Sequence, residues 1–509
     1  MTAPLAADPP AVALYKSVFA GCETVEFPIT GLDRTGVPVW VALAWRGGEP
    51  LATGVGYGET DGRARTGMWG EMAEGAAVHR LRGLPARRAS WREIEATGEA
   101  AVDPRRLRLP LGTDWTPDTP RLWTAARRVA PGAASHGEPV WVLLDEAVAH
   151  TYNLPGGYDP LYTPITNGLG AGDTRARAAA HGLLELVQRD GNAVGYRALD
   201  RGVVVDLDRV ERADTRALLA RLGAAGIRPV VKLAETPVGM ASLYVQGRDD
   251  APAHPWMLTG CGEAAHPDRE AALYKAVLEY AASRVRKRFA HAPLDSLAHA
   301  LPAGYVDRVR AAPPPAEEGR SLAAVRAWGR LSAAVALERL ERTWFREAER
   351  VPFSSLPTEA VPDDPEALLA AVAGRMAAEG FDVLAVDLSG PGDAVQVVKA
   401  VVPGLEVETM TYGRIGPRNV RRLAARIAAG DPLVPADVVG LGAPPDGAMP
   451  VLLAPADEAA LGGPAWARPD RLAAALGPLY AMYREPPFHA APLADERDAA
   501  RPPAGRPAT

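Results

Sequence analysis

The sequence predicts an α/β protein in which mixed sheets are covered by packed helices. Residues 23–58 alternate between apolar and polar side chains around the turn Asp33-Arg34-Thr35-Gly36, which indicates three strands. Farther along, short apolar runs that suit strands alternate with segments of helical periodicity. A chain of 509 residues with 48% hydrophobic composition can bury a large core without disulfides or metal.

Each helix and strand is predicted from the periodicity of its apolar residues and from the residues that end the segment. A helix is expected at about 64–82, and the run Pro139-Val-Trp-Val-Leu-Leu144 reads as a buried strand. A Pro-rich linker near 311–318 and Gly380 interrupt the later pattern. The remaining predicted helices are 174–192, 268–289, 322–349 and 364–379, and the remaining predicted strands are 202–206, 228–233, 241–246, 256–260, 382–388 and 394–402.

The chain reads as one main domain with two extensions. We expect an N-terminal extension over 1–20, the domain over 21–490, and a Pro-rich tail over 491–509 that is disordered. No apolar run of 18 residues and no leading basic-then-apolar segment is present, so no membrane span is predicted and a cytoplasmic location is expected. A net charge of −6 gives no reason to expect nucleic-acid binding.

The run Thr166-Asn-Gly-Leu-Gly-Ala-Gly-Asp-Thr174 is the most informative motif. Its glycines alternate at 168, 170 and 172, and Asp173 and Thr174 can cap the helix that follows. The pattern fits a tight loop whose backbone N–H groups hold an anion such as phosphate, although a sharp turn into a helix would need the same residues. It is no P-loop, because no Lys-Ser/Thr pair follows the last glycine.

Carboxylates recur at a spacing that places them on one helix face. Glu71 and Glu74 are three residues apart, and Glu185 and Gln188 repeat the step on the helix that follows the glycine run. Glu71 and Glu74 could simply form a solvated face. If both helices approach the glycine run, Glu71, Glu74 and Glu185 could hold Mg²⁺ against phosphate oxygens, with Arg189 balancing the phosphate charge.

At these residues the chain resembles the YcaO family, whose members use ATP and Mg²⁺ to phosphorylate a peptide amide oxygen. The family patterns Ser-x-x-x-Glu-x-x-Glu-Arg, Ser-x-Asn-Gly-x-Ala-x-Gly-x-x-x-x-Glu-Ala and Leu-x-Glu-x-x-Glu-Arg-Asp are represented here by residues 67–75, 165–178 and 183–190. The likeness spans roughly residues 20–490 and implies the YcaO-like fold. It also implies that Glu71, Glu74 and Glu185 bind the metal and that the nucleotide meets Asn167, Gly168, Gly170, Gly172, Asp173, Arg177, Gln188, Arg189 and Arg284.

The chain departs from the family at four positions of the site. Arg177 and Gln188 stand where the patterns have glutamates, Ala282 stands in place of a glutamine, and Gly75 replaces the arginine after Glu74. Arginine is a strong bidentate phosphate partner, so Arg177 could neutralise phosphate in place of one metal ion. Loss of two metal-facing carboxylates could equally leave the site inactive.

The resemblance implies an enzyme of ribosomal-peptide biosynthesis. It would use ATP and Mg²⁺ to activate a backbone amide of a precursor peptide, giving an azoline or a thioamide; no individual catalytic residue is assigned. The alternative is a degenerate YcaO-like scaffold that binds the peptide or a partner. A separate leader-peptide-binding or sulfur-delivery protein is expected, and a homodimer stays open.

A third hypothesis assigns the glycine run to a dinucleotide in an oxidoreductase. The run before it is broken by Pro155, Pro160 and Pro164, which makes a poor Rossmann strand, and no convincing ribose-binding acid follows. Dinucleotide binding needs no Mg²⁺, so a requirement for the metal separates the two kinds of site.

Overall fold

The computed structural model of the chain describes residues 8–129, 139–195, 197–235, 238–312, 319–390, 392–407 and 413–500. Most of the predicted linker, residues 313–318, lies outside this part, as do residues 1–7 of the N-terminal extension and 501–509 of the tail.

The described strands form four sheets. They are β1 (Glu23–Pro28), β2 (Val39–Arg46), β3 (Glu49–Tyr57), β4 (Arg87–Ala89), β5 (Arg121–Arg128), β6 (Pro139–Leu143), β7 (Leu169–Gly172), β8 (Val203–Asp206), β9 (Ile227–Leu233), β10 (Ala241–Asp249), β11 (Gly262–His266), β12 (Glu349–Pro352), β13 (Leu384–Asp387), β14 (Gln396–Val401), β15 (Val439–Leu441), β16 (Met449–Pro450) and β17 (Ala465–Ala467).

The helices vary from single turns to long amphipathic segments. They are α1 (Pro10–Lys16), α2 (Asp61–Val78), α3 (Trp91–Ala96), α4 (Leu144–Ala147), α5 (Arg175–Gly191), α6 (Ala213–Ala224), α7 (Arg269–His291), α8 (Leu294–Leu297), α9 (Tyr305–Ala311), α10 (Gly319–Gly329), α11 (Ala333–Arg342), α12 (Pro365–Ala378), α13 (Pro417–Ala428), α14 (Pro455–Leu461), α15 (Pro469–Leu476), α16 (Tyr480–Tyr483) and α17 (Ala490–Ala500).

The sheets are largely antiparallel. β1-β2-β3 is a meander, the second sheet runs β11-β10-β9-β8-β12 with a parallel β8–β12 pair, and the third runs β4-β5-β13-β14-β7 with β6 paired to β5. The fourth is the small sheet β15-β17-β16. The fold class predicted from the sequence, mixed sheets with packed helices, is therefore confirmed.

Three helices that contain site residues pack against the sheets. Helix α2 packs on β2 and β3, α5 packs on β7 and β14, and α7 packs on β10 and β11. Buried side chains hold each of these layers, including Met68 and Met72 of α2, Leu183 of α5, and Leu273 and Val277 of α7. The three helices are thereby fixed relative to their sheets.

Three sequence expectations are corrected. The strand expected at 256–260 is a 3₁₀ turn and a loop, and the strand itself begins at Gly262. The helical stretch 322–349 is divided into α10 and α11, because the chain turns after Gly329 and Ser332 caps the second helix by accepting the Val335 N–H.

The third correction concerns the tail. Residues 490–500 form α17 instead of a disordered segment. Pro492 lies in its first turn, where proline is tolerated, and the rest of the segment is rich in alanine. Leu493 is buried, and Arg326 pairs with Asp495 and Asp498, so the helix is anchored on both faces.

Among the described helices, none is both long and apolar enough to cross a bilayer.

The glycine run forms a strand, not a free loop. Residues 169–172 are buried and pair with β14, from Leu169 opposite Lys399 to Gly172 opposite Gln396. A Cβ at Gly170 would lie 2.1 Å from the Ala178 carbonyl oxygen, and one at Gly182 would lie 2.3 Å from the Gly168 carbonyl oxygen. These glycines therefore allow β7 and α5 to approach each other backbone to backbone.

The strand arrangement also removes the dinucleotide hypothesis. A Rossmann site needs a parallel strand that leads through the glycine loop into the helix. Here the glycines at 170 and 172 lie inside β7, which is antiparallel to β14, and β6 is antiparallel to β5.

We predict that Gly170→Ala destabilises the chain, because the added methyl group must displace backbone at the β7–α5 contact. Overpacking of this kind costs about 1–3 kcal/mol. The control is Gly223→Ala on α6, where a Cβ meets no atom within 4 Å among the described residues outside its own helix. Thermal denaturation should show a lower midpoint for Gly170→Ala and an unchanged or higher midpoint for Gly223→Ala; equal midpoints would contradict the packing argument.

Candidate functional site

A cavity of about 1400 Å³ opens between the β1–β3 sheet, α5, α7 and the C-terminal segment. Its wall includes Glu71 of α2, Asn167 beside β7, Arg189 of α5 and Glu263 of β11. Helix α7 adds Glu279, Ser283, Arg286 and Lys287, and residues 482–489 line the remaining side. Residues from five parts of the sequence thus meet around one space.

Four acids in and beside the cavity are each oriented by a backbone N–H. Val55 donates to Glu71 Oε2 at 2.9 Å, Ala171 donates to Glu74 Oε1 at 3.0 Å, and Gly168 donates to Glu185 Oε2 at 2.9 Å. The Glu263 N–H likewise donates to Glu279 Oε2 at 3.1 Å. The strands β3, β7 and β11 therefore set the positions of carboxylates that the helices supply.

These carboxylates are close enough to disfavour one another's charge. Burial, with the charges of Glu279 and Glu185, raises the pKa of Glu71 to about 7, although the Val55 N–H and Arg286 act in the opposite direction. Burial and the charges of Glu71 and Glu185 raise the pKa of Glu74 well above its usual range. Burial and Glu263 raise the pKa of Glu279. A cation bound here would relieve this repulsion.

Cationic side chains line the cavity beside these acids, and we call them the basic wall. Arg189 donates to Glu263 Oε2 at 2.9 Å and lies 3.4 Å from Glu185 Oε1. Arg286 lies 3.4 Å from Glu485, and Lys287 is 4% exposed. Burial lowers the pKa of the Lys287 ammonium to about 8, against the raising effect of Glu485. An anion entering the cavity would meet these cations.

The C-terminal segment contributes an acid to that wall. Burial opposes the ionisation of Glu485, but Arg286, His291 and Lys287 outweigh it and lower the pKa of Glu485 to about 2. Two contacts fix the segment beside α7: the His489 N–H donates to the Ala290 carbonyl at 2.9 Å, and the His489 ring pairs with the Tyr305 hydroxyl. The Pro486-Pro-Phe-His489 stretch therefore reaches the cavity, and the chain continues outward as α17.

Asn167 carries a buried donor without a partner among the described residues. Its side chain is buried, and Nδ2 has no hydrogen-bond partner among the described residues although it lines the cavity. A buried amide without a partner costs free energy unless a ligand or water satisfies it. A phosphate or peptide oxygen has the required chemistry.

The predicted site residues are only partly brought together. Glu71, Asn167 and Arg189 line the cavity, while Glu74 and Glu185 lie close enough for their charges to act on Glu71. Gly168 supplies the N–H that holds Glu185, but Gly170 and Gly172 serve the packing of β7 on α5. These two glycines lie in β7 instead of in an open loop at the start of α5, and their contact with a nucleotide stays a prediction.

Asp173 and Arg177 lie elsewhere. Arg177 donates from Nε to Asp173 Oδ1 at 2.8 Å, and both side chains are half-exposed and absent from the cavity wall. In this structure Arg177 neutralises its neighbour on the protein surface, not a group in the cavity.

Arg284 also lies away from the cavity wall. Its guanidinium is fully buried, donates to Asp33 and to the Met257 carbonyl, and pairs with Asp249. Helical geometry explains this, because Glu279, Ser283, Arg286 and Lys287 follow the i, i+4, i+7, i+8 pattern of one face and residue 284 lies off that face. Ala282, the other departure on α7, is buried in the core.

Sequence reasoning missed Glu263, Arg197, Arg286 and Lys287. Gln188, expected at the nucleotide, donates from Nε2 to Glu263 at 3.0 Å. Only the helical spacing from Glu279 could have indicated Arg286 and Lys287. No sequence motif marks Glu263, since its importance depends on β11 lying beside α5.

Among the described residues, no group of three or more His, Cys, Asp or Glu side chains is arranged to hold a metal ion. The predicted ligand set Glu71, Glu74 and Glu185 is therefore not preassembled as a closed metal site. The donor chemistry still suits Mg²⁺, which is often held by one or two carboxylates together with substrate phosphates and water.

Comparisons with known proteins agree with this architecture. An uncharacterized protein of Methanothermobacter thermautotrophicus is 28% identical over 398 residues, which are 77% of this chain and 91% of that protein. The structure of YcaO from Methanopyrus kandleri bound with AMPPCP and Mg²⁺ matches with a TM-score of 0.54 and 22% identity, covering 80% of this chain and 91% of that one. A heterocyclase in complex with substrate and cofactor matches with a TM-score of 0.55 and 18% identity, covering 78% of this chain and 52% of that one.

A family model connects these likenesses to the sequence. The YcaO cyclodehydratase model, described as ATP- and Mg²⁺-binding, matches residues 55–406. That region includes α2, α5, β11 and α7, which carry the acids of the site, and β7, which orients one of them. Since the match covers most of the chain, this protein belongs to the YcaO family.

Proposed function

We propose that this chain activates a backbone amide of a ribosomally made precursor peptide at the expense of ATP. The observation that carries the proposal is the meeting of mutually repelling carboxylates, cationic side chains and the unpartnered amide of Asn167 in one large cavity. A space of this size can take a nucleotide together with a peptide segment. The family match supports ATP as the co-substrate.

The acidic and the cationic side chains suggest where the metal ion and the phosphate groups bind. Glu71, Glu74 and Glu185 would hold Mg²⁺, which when bound supplies positive charge against the phosphate oxygens. Asn167 and Arg189 would contact those oxygens from the other side. Backbone N–H groups orient Glu71 and Glu185, and a cation would have to draw the three carboxylates together.

The reaction proposed is transfer of the γ-phosphoryl group to the amide oxygen. A cysteine, serine or threonine side chain of the peptide adds to the amide carbon, and the oxygen then leaves as phosphate, giving an azoline and ADP. With external sulfide as the nucleophile, the same loss of oxygen gives a thioamide. The chain's own contribution is to position the amide and the γ-phosphate and to balance the charge on the transferred group.

We expect the peptide to be delivered by a separate leader-peptide-binding or sulfur-delivery partner, in the cytoplasm where ATP is available. A homodimer stays a prediction. The alternative function is a catalytically degenerate scaffold that binds the peptide or a partner. It is favoured by two observations, because Arg177 faces the protein surface and Gln188 replaces an acid by an amide.

We predict that the chain binds ATP only with Mg²⁺ and that Glu185→Ala weakens this binding. A charge-assisted contact contributes about 1.5–3 kcal/mol, so the dissociation constant should rise about 10- to 150-fold. Calorimetric titration with ATP, with and without Mg²⁺, measures this. The control is Glu95→Ala, which removes an exposed carboxylate on α3 outside the cavity wall and should leave affinity unchanged.

Absence of binding by the unmodified chain at millimolar ATP would contradict the enzymatic proposal and favour the scaffold. Tight binding without Mg²⁺, unaffected by Glu185→Ala, would show that the acids do not hold a metal. When binding is established, mass spectrometry of a precursor peptide after incubation with ATP separates azoline from thioamide, since one loses the elements of water and the other exchanges oxygen for sulfur.

We predict that the affinity for ATP falls as the pH rises through about 8. The pKa of Lys287 lies near 8 in the free protein, so above that value the basic wall loses a charge that favours an anion. Lys287→Met should weaken binding at pH 7 and flatten the profile between about pH 7 and 9. Lys287→Arg should also flatten it, because arginine stays charged, while keeping the affinity. A Lys287→Met profile as steep as that of the unmodified chain would contradict this assignment.

A further inference from the structure

Glu263 occupies an unusual position in the cavity. Its side chain is 5% exposed, and it projects from β11 between α5 and α7. Gln188 and Asn192, one helical turn apart on α5, donate to the same oxygen, Oε2, at 3.0 and 3.1 Å. A carboxylate this deeply buried is retained only when several donors compensate its lost hydration.

Two cations of the cavity wall share this carboxylate. Arg189 donates to Oε2 at 2.9 Å and Arg197 donates to Oε1 at 3.4 Å. Arg189 also approaches Glu185 Oε1, so its guanidinium lies between two acids, one on its own helix and one on β11. The position of Arg189 therefore depends on Glu263 as well as on Glu185.

The neutral side chain at position 188 fits this arrangement. A glutamate there would place a second carboxylate about 3 Å from Glu263, and two carboxylates that close cannot both remain ionised. As an amide, Gln188 instead donates to Glu263. The pattern Leu-x-Glu-x-x-Glu-Arg has its second acid on α5, whereas here the negative charge at this contact is on the facing strand.

We infer that Glu263 is a positioning residue that replaces the missing carboxylate of α5 and holds Arg189 and Arg197 toward a bound polyphosphate. This inference rests on the proposed function, because it takes the anion to be ATP. The departure at Gln188 is then one half of a matched exchange with Glu263, not a loss of the site.

The test is a charge exchange between the two positions. The variants are Glu263→Gln, Gln188→Glu and the double variant Gln188→Glu/Glu263→Gln, with the exposed acid Glu341→Gln, which pairs with Arg248, as a matched control. Each is titrated calorimetrically with ATP and Mg²⁺, and its thermal midpoint is recorded.

We expect each single variant to weaken ATP binding about tenfold or more, since one lacks an acid and the other has one in excess. The double variant should return to within about threefold of the unmodified chain, and Glu341→Gln should bind normally. Glu263→Asp keeps the charge and serves if Glu263→Gln does not fold; its shorter reach to Arg189 should give an intermediate affinity.

A purely structural role predicts a different pattern. The single variants would then have lower thermal midpoints with unchanged affinity for ATP, and this would overturn the inference. Failure of the double variant to recover affinity would overturn it as well, as would full affinity of Glu263→Asp when Glu263→Gln does not fold. If the unmodified chain binds no ATP, both the proposed function and this inference fail. If the unmodified chain binds ATP but the double variant does not recover that affinity, only the inference fails.

Discussion

The site depends on the close approach of β7 to the helices on either side of it. Gly170 and Gly182 have no side chain in the way, so the backbone of β7 lies directly on α5. At that distance the Gly168 N–H reaches Glu185, and the Ala171 N–H reaches Glu74 on α2. A bulkier strand would separate both acids from the groups that orient them, and the cavity would lose the arrangement of its charged base.

A second constraint is electrostatic. Carboxylates that lie close together raise one another's pKa, as at Glu71 and Glu74, and this is tolerated in proteins chiefly at sites where a ligand supplies the opposite charge. The basic wall has an excess of positive charge, which Glu485 and Glu263 partly offset. A cation bound to an anion complements the charge of the acids and of the basic wall together. A cation alone or an anion alone would complement only one of them.

The sequence predicted the helices that carry the site because long periodic segments such as α5 and α7 leave little ambiguity, but it did not predict β7 or the position of β11. The sequence prediction failed where the role of a residue depends on which face of its helix or strand packs against a neighbouring helix or strand. Arg284 lies in the family order but points into the core, while Arg286 and Lys287 reach the cavity. The alternating glycines resembled a loop because strand packing and anion binding need the same residue. Glu263 could not be recognised at all, since its partners on α5 lie about 70 residues away.

If a nucleotide and Mg²⁺ bind at the large cavity, a crystal structure of the chain grown with a non-hydrolysable ATP analogue and Mg²⁺ will show both directly. We expect the metal at Glu71, Glu74 or Glu185 and the triphosphate in contact with Arg189. A nucleotide bound elsewhere, or a metal coordinated away from Glu71, Glu74 and Glu185, would contradict this expectation.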